Sequence, residues 1–270
     1  MSVMYQDNFD IAYKTKIKSD LLIINQCNKN DYAEIQVGDH TWRMIYTTER
    51  GLSKSRNMAL ENAKGDICLF CDDDEIMSEG YADIISKAYE ELEEATAIVF
   101  NINRINNHLK KTYYHIDAIR LAPKYRAYGS PMLAISLEHI QNHGIRFNEL
   151  FGSGSEWGGG EDSLFEKDIV DAGLKIYEYP AEIATVDYSN ESKWFQGYTE
   201  RYFYNLGAYI QYRYSGSLIL RGLRKVFTCY RLRREKDLDF FKKMQWMNLG
   251  ERGIKKNVTY TKFLDKKKFD

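Results

Sequence analysis

The sequence is poor in the residues that staple or stiffen small folds. Its 270 residues include three prolines and four cysteines. Cysteines at 27, 68, 71 and 229 make no spaced disulfide framework, and a chain of this length buries a sizeable core without one, so a disulfide mini-protein is excluded. No run of 18 consecutive apolar residues occurs, so no spanning helix is expected. No apolar secretory segment opens the sequence, and the expected location is the cytoplasm. Net charge is also nearly absent, 38 basic side chains standing against 39 acidic ones. That balance hides a segregation, because residues 221–270 carry 16 Lys and Arg against 6 Asp and Glu. What is present, 44% hydrophobic and 29% charged residues, describes a folded globular chain and excludes collagen-like, coiled-coil and wholly disordered chains.

Short apolar runs alternate with longer periodic segments along the first two thirds, which predicts an α/β fold. Leu21 to Ile24 is a buried strand ending at Asn25-Gln26-Cys27, preceded by a clipped strand at Ser2–Tyr5. Gly38-Asp39 predicts a hairpin. Ser53 is expected to N-cap a helix running to Ala63, with Gly65 as its left-handed stop. Asp66 to Cys71 is expected to be a central strand leading into Asp72-Asp73-Asp74-Glu75. A helix from Tyr81 and a strand from Ala97 follow, then an irregular stretch over 103–150. The glycine-rich stretch 152–160, with Trp157 in it, is expected to be a mobile loop before Glu161-Asp162 and a helix stopped by Gly173. Cys68 and Cys71 have the spacing of a metal or redox pair. Strand alternation sends them to opposite faces and no second pair exists, so two buried thiols are expected.

Three consecutive carboxylates at a strand end repel one another unless a cation neutralises them. A hard divalent ion, Mn²⁺ or Mg²⁺, would do so with carboxylate and phosphate oxygens, and open α/β sheets bind ligands at the carboxyl ends of strands. The alternative is a solvated acidic turn.

The string Glu49-Arg50-Gly51-Leu52-Ser53-Lys54-Ser55-Arg56-Asn57-Met58-Ala59-Leu60, followed by Gly65-Asp66 and the apolar run into Asp72-Asp73-Asp74, resembles the nucleotide-sugar half of the family 2 glycosyltransferases. The resemblance covers residues 21–75 closely, extends to Glu161-Asp162, and thins beyond 213. It implies a GT-A fold, with a Rossmann-like, mostly parallel central sheet flanked by helices and a helical C-terminal extension. The transferase domain would occupy 1–213, its nucleotide-sugar half ending near 102 and its acceptor half running from 103 to 213, with the basic extension over 214–270.

The resemblance also implies roles. Asp72 would bond the donor's ribose with Asp73 in support, Asp74 would bind the metal bridging its phosphates, and Arg56 would face the diphosphate. Asn25 and Gln26 would contact base or ribose. Asp162 would be the general base, with Glu161 beside it. The histidine that completes the family's metal site has no counterpart after His143, and Asp187, in Val186-Asp187-Tyr188, would stand in as an oxygen ligand. Glu191–Tyr198 looks like the aromatic segment that follows the catalytic core in bacterial polysaccharide transferases. The implied partners are a nucleotide-sugar donor and a glycan or lipid-linked acceptor, and nucleic acid is not expected. A sugar nucleotidyltransferase is disfavoured because Tyr5–Phe9 offers no glycine-rich phosphate loop. A non-catalytic binding protein is disfavoured by the intact carboxylates.

In the tail, Leu220, Leu223, Phe227 and Tyr230 make an apolar stripe bordered by arginines. Two outcomes stay open: a peripheral helix on an anionic membrane, or a stripe packed on the catalytic domain with its arginines solvated.

Overall fold

The computed structural model describes all residues except 107–113, 125, 188, 190–196, 236 and 270, together with the side chains of 266–269. Trp194, Phe195 and the rest of the expected aromatic segment up to Gln196 therefore lie outside the described residues, as does Tyr188. By contacts the chain divides into two compact units, Met1–Asn148 with Phe165–Ser192, and Glu149–Leu164 with Lys193–Asp270.

The first unit opens with β1 (Ser2–Met4), α1 (Asp10–Lys14), β2 (Leu21–Gln26), β3 (Asp31–Val37) and β4 (His40–Thr47). Parallel pairing runs β1–β2–β4, and β3 returns antiparallel to β4 through Gly38, whose φ of 59° is what a tight hairpin needs. The continuous apolar run of β2 follows from burial on both faces. Next comes α2 (Leu52–Asn62). Its N-cap is Gly51 at φ 122°, with no capping side chain, so Ser53 is a buried first-turn residue and not the cap. Nor is Gly65 a left-handed stop. The chain leaves the helix at Ala63 in an extended conformation, and Gly65 keeps φ outside the positive region.

The strands β5 (Ile67–Leu69) and β6 (Glu75–Met77), the helix α3 (Tyr81–Glu91) and the strands β7 (Ala97–Ile105), β8 (Arg120–Leu121) and β9 (Leu133–Ser136) follow. After them come α4 (Leu137–Asn142), α5 (Glu161–Asp171) and β10 (Ile176–Asp187). The second sheet has the order β5-β9-β7-β10-β6, with β8 on β10; β7–β10 is parallel and its other ladders are antiparallel. Of residues 66–71, expected as a central strand, only Ile67–Leu69 form a strand, and among the described residues it is an edge strand paired with β9. The reason is β9 itself. Leu133, Ala134 and Ile135 come from the stretch read as irregular, are wholly buried, and insert between β5 and β7. The same stretch is anchored by Glu178 of β10, a buried carboxylate that accepts bonds from Arg120 Nε at 2.6 Å, Arg126 Nη1 at 2.9 Å and Tyr114 Oη at 3.1 Å, and from Tyr128 Oη. Gly173, at φ 79°, does stop α5 as expected.

The second unit contains α6 (Glu200–Arg213), α7 (Leu218–Arg231), α8 (Phe240–Lys255) and α9 (Tyr260–Phe269). By contacts α6 groups with the tail, whereas the sequence divided the chain after residue 213. Phe203 and Tyr204 are core residues here, packed with Trp157, Trp246 and Met247. The approach of α6 to α8 requires glycine: a Cβ on Gly207 would meet the Met247 carbonyl oxygen at 2.0 Å, and one on Gly250 that of Tyr204 at 1.7 Å. None of the described helices is long and apolar enough to cross a membrane.

Candidate active site

Helix α2 buries Ser53, Ser55, Arg56, Asn57 and Leu60 on one side. Asn57 exchanges two hydrogen bonds with the backbone of Phe147, donating Nδ2 to its carbonyl at 2.9 Å and accepting its N–H at 2.8 Å. That pairing fixes the helix start and, with it, Arg56, whose guanidinium lies over the Phe147 ring at 5.3 Å. From there Arg56 Nη2 reaches to 3.5 Å from Asp72 Oδ1. The arginine expected to face the diphosphate is thus a buried cation aimed at the first aspartate of the acidic run.

After β5 the chain turns at Asp73-Asp74 and re-enters a sheet at Glu75, which pairs with Val186 of β10. Strand alternation then turns Glu75 and Met77 inward and Ile76 outward. Glu75 is 1% exposed, and among the described residues neither of its carboxylate oxygens has a hydrogen-bond partner. Ligand atoms of Asp72, Asp74 and Glu75 all lie within 4.8 Å of one another. Burial, then the Asp72 charge, pushes the Glu75 pKa well above the ordinary carboxylate value. Burial, then the neighbouring aspartate, also raises Asp73 and Asp74. An all-oxygen set containing an unsatisfied buried carboxylate fits a hard divalent cation, Mn²⁺ or Mg²⁺, and disfavours a merely solvated turn.

Asp187 is not one of those three. It is exposed, and its Oδ1 accepts from Asn106 Nδ2 at 2.9 Å and from the Ser189 N–H at 2.8 Å. Its strand position, one residue beyond the partner of Glu75, is what links it to the acidic turn.

Asn25 and Gln26 end β2 as expected, but both are buried with their amides engaged internally. Asn25 donates Nδ2 to the Gln6 carbonyl at 2.6 Å and accepts the Gln6 N–H at 3.1 Å. Gln26 Oε1 accepts the Gly51 N–H at 2.8 Å, holding the turn that opens α2. Their geometry shapes the strand end.

In the second unit, Glu161 and Asp162 form the first turn of α5, where the helix dipole favours acids. Glu161 is buried and Asp162 half-buried. Gly160 opens this turn at φ 112°, and a Cβ there would stand 2.6 Å from the Tyr209 ring. Tyr209 Oη shares a hydrogen bond with Ser163 Oγ at 2.8 Å, and Ser163 Oγ donates to the Gly160 carbonyl at 3.0 Å. The glycine-rich stretch is not a free lid: Trp157 is 1% exposed and stacks on Tyr204, ring centres 5.8 Å apart. Apolar burial of the tryptophan anchors the loop.

The family model for glycosyl transferase family 2 matches residues 11–159, more than half of the chain. The chain belongs to glycosyl transferase family 2. No curated protein matches the sequence. Among solved structures, this family 2 chain is similar to S. aureus TarS residues 1–349 in complex with UDP-GlcNAc, at 13% identity and a TM-score of 0.55, covering 88% of this chain and 73% of that one. A second TarS 1–349 structure matches at 14% identity and a TM-score of 0.55, covering 96% and 92%. GalNAc-T7 with UDP, GalNAc and Mn²⁺ matches at 13% identity and a TM-score of 0.53, covering 88% and 51%. These likenesses show the GT-A fold.

Sequence reasoning about this glycosyltransferase missed three residues. Glu75 was visible as the fourth acid of the DDDE run, but its inward turn depends on β10. Asn57 and Tyr209 act on Phe147 and on the Gly160 turn, 90 and 49 positions away in the chain, and no local signal reports such partners.

Proposed function

We propose that the chain is an inverting glycosyltransferase that moves a sugar from a nucleoside diphosphate donor, of the UDP class, to a hydroxyl of a glycan or lipid-linked acceptor in surface polysaccharide synthesis. The observation that carries this reading is the Asp72, Asp74 and Glu75 group, with the buried Arg56 beside Asp72. Support for the donor class comes from neighbours solved with UDP-GlcNAc and with UDP and Mn²⁺. On this reading residues 1–213 are the transferase domain and 214–270 an extension, and the enzyme works in the cytoplasm or on the inner face of an anionic plasma membrane.

Each role follows from what the step requires. Breaking the bond between the anomeric carbon and the diphosphate leaves charge on the phosphate oxygens, and Arg56 supplies a fixed cation against it. Asp74 and Glu75 would hold a divalent cation, with Asp187 as a further oxygen ligand; bound there, the ion supplies Lewis-acid stabilisation of the leaving diphosphate. Asp72 accepts from a ribose hydroxyl, Asp73 supports it, and Asn25 and Gln26 fix the strand end that frames the base. Asp162 takes the proton of the acceptor hydroxyl as that oxygen attacks the anomeric carbon, with the buried Glu161 next to it in the chain. A single displacement inverts the anomeric configuration. A pocket of about 320 Å³ lined by Arg104, Tyr114, Tyr128, Met132 and Val186 is a candidate for the donor sugar.

The test is a screen of nucleotide sugars for thermal stabilisation and for slow hydrolysis, with Mn²⁺ or with EDTA. A UDP-sugar should raise the melting temperature in Mn²⁺ and release UDP, since binding to the folded state stabilises it by mass action. Equal stabilisation in EDTA removes the metal from the reading, and no response to any nucleotide sugar removes the function.

A further inference from the structure

Helix α7 is amphipathic, with two of its cations turned inward. The segment Leu218–Arg234 carries six basic side chains and no acid. Two of them, Arg221 and Lys225, lie one turn apart on the buried side together with Thr228 and Cys229. Both pair with Glu251 of α8: Arg221 Nε lies 3.0 Å from Oε1, and Lys225 Nζ bonds Oε2 and also donates to Asn248 Oδ1 at 2.8 Å. An ion-pair network thus fixes which side of α7 faces its own unit.

The opposite side is apolar and open. Ile219 is 75% exposed, Leu223 61%, Phe227 51% and Tyr230 62%, with Val226 between them, and this spacing of three and four residues makes one continuous stripe. Leu218 and Phe241 are also exposed, at 73% and 80%. An exposed stripe is what the first of the two sequence alternatives requires. The stripe is not packed, and two of the cations that were to be solvated are the buried ones.

The remaining cations identify what the stripe fits. Arg224 lies over the Phe227 ring at 5.7 Å and Arg233 over the Tyr230 ring at 4.4 Å, so guanidinium groups sit at the rim of the apolar face. Arg231 ends the helix, and Arg233 and Arg234 lie in the turn after it; all three are exposed, and the acids Glu235, Asp237 and Asp239 follow that turn. Aliphatic and aromatic groups that enter acyl chains, with arginines at phosphate depth, complement an anionic lipid surface. A face for a second copy would not need a one-signed rim.

We propose that α7 and the turn after it dock this chain on an anionic lipid bilayer, with Ile219, Leu223, Val226, Phe227 and Tyr230 among the acyl chains and Arg224, Arg231, Arg233 and Arg234 on headgroup phosphates. This deepens the membrane placement of the proposed function and uses no residue assigned to catalysis, so its failure would leave the transferase roles untouched. The test is flotation of the full chain with phosphatidylcholine vesicles, with and without phosphatidylglycerol. The chain should float with the anionic vesicles, remain behind with the neutral ones, and dissociate as salt is raised. Leu223→Asp with Phe227→Asp should lower the bound fraction on the order of tenfold, and Arg231→Glu with Arg234→Glu should abolish the preference for anionic lipid. All four side chains are exposed, so an unchanged melting curve and an unchanged response to UDP verify the fold. Equal binding to both vesicle types, or undiminished binding of the Leu223→Asp, Phe227→Asp variant, overturns the proposal. So does a concentration-dependent dimer in sedimentation velocity that this variant abolishes while wild type binds no vesicles, which would assign the face to self-association.

Discussion

Arg56 Nη2 lies 3.5 Å from Asp72 Oδ1, and the arginine side chain is 4% exposed where the aspartate is 38% exposed. A buried cation thus looks out through a half-open anion. Its planar fork is held between the Phe147 ring and Asp72, a geometry that an ammonium cannot reproduce. Arg56→Lys keeps the charge and loses the fork. UDP binding in the presence of Mn²⁺ is expected to weaken on the order of tenfold, measured by isothermal titration. Unchanged affinity would show that Arg56 only supports the fold.

Glu75 gives a prediction in pH and metal together. Its folded pKa is raised, so between the ordinary value of 4.5 and that raised value the folded state holds a proton that the unfolded state has released. Stability in EDTA should therefore fall as pH climbs through this window. Glu75→Gln should flatten that dependence, raise the melting temperature at neutral pH without metal, and remove the stabilisation that Mn²⁺ gives wild type. Calorimetry across pH, with and without Mn²⁺, reads all three.

Asp162 and Glu161 should separate by readout. Asp162→Asn removes the proton acceptor and is expected to lower transfer on the order of 10²-fold while UDP affinity holds. Glu161→Gln, at a buried position, should act more on melting temperature than on turnover. Near-normal turnover in Asp162→Asn moves the base elsewhere.

Burial pushes the thiols of Cys68 and Cys71 up to about 11. At pH 8 the thiolate fraction is then on the order of a thousandth, so both should resist iodoacetamide in the folded protein and react once it is unfolded. Rapid native labelling, or zinc recovered with the purified chain, would restore the metal or redox pair.

The glycine contact between α6 and α8 can be weighed against a control. Gly207→Ala favours the helix by about 1 kcal/mol through propensity, yet pushes a methyl into the Met247 carbonyl, and should cost about 1–3 kcal/mol net. Gly222→Ala in α7, where no described residue lies within 4 Å of an added Cβ, should gain stability instead. Chemical denaturation of the two variants compares them directly.

The sequence by itself determined what short-range physics can specify. The apolar run Leu21–Ile24, the Gly38 hairpin and the Gly173 stop are each set by a few adjacent residues, and the Ser55-Arg56-Asn57 and Asp72–Asp74 elements announce the glycosyltransferase family because their chemistry lies in consecutive positions. Tertiary structure decided the rest, wherever a residue's role depends on a partner far along the chain. The acids 72–75 were legible, but only pairing with Val186 turns Glu75 into a buried, unsatisfied ligand. Asn57 was legible as part of a motif, but only Phe147 gives it a task. The four residues of β9 are too short a signal to compete with their turn-rich surroundings until two neighbouring strands accept them. The amphipathic period of α7 was plain in the letters, yet which face turned inward depended on partners in α8, Glu251 and Asn248, which hold Arg221 and Lys225 while the apolar face stays outside.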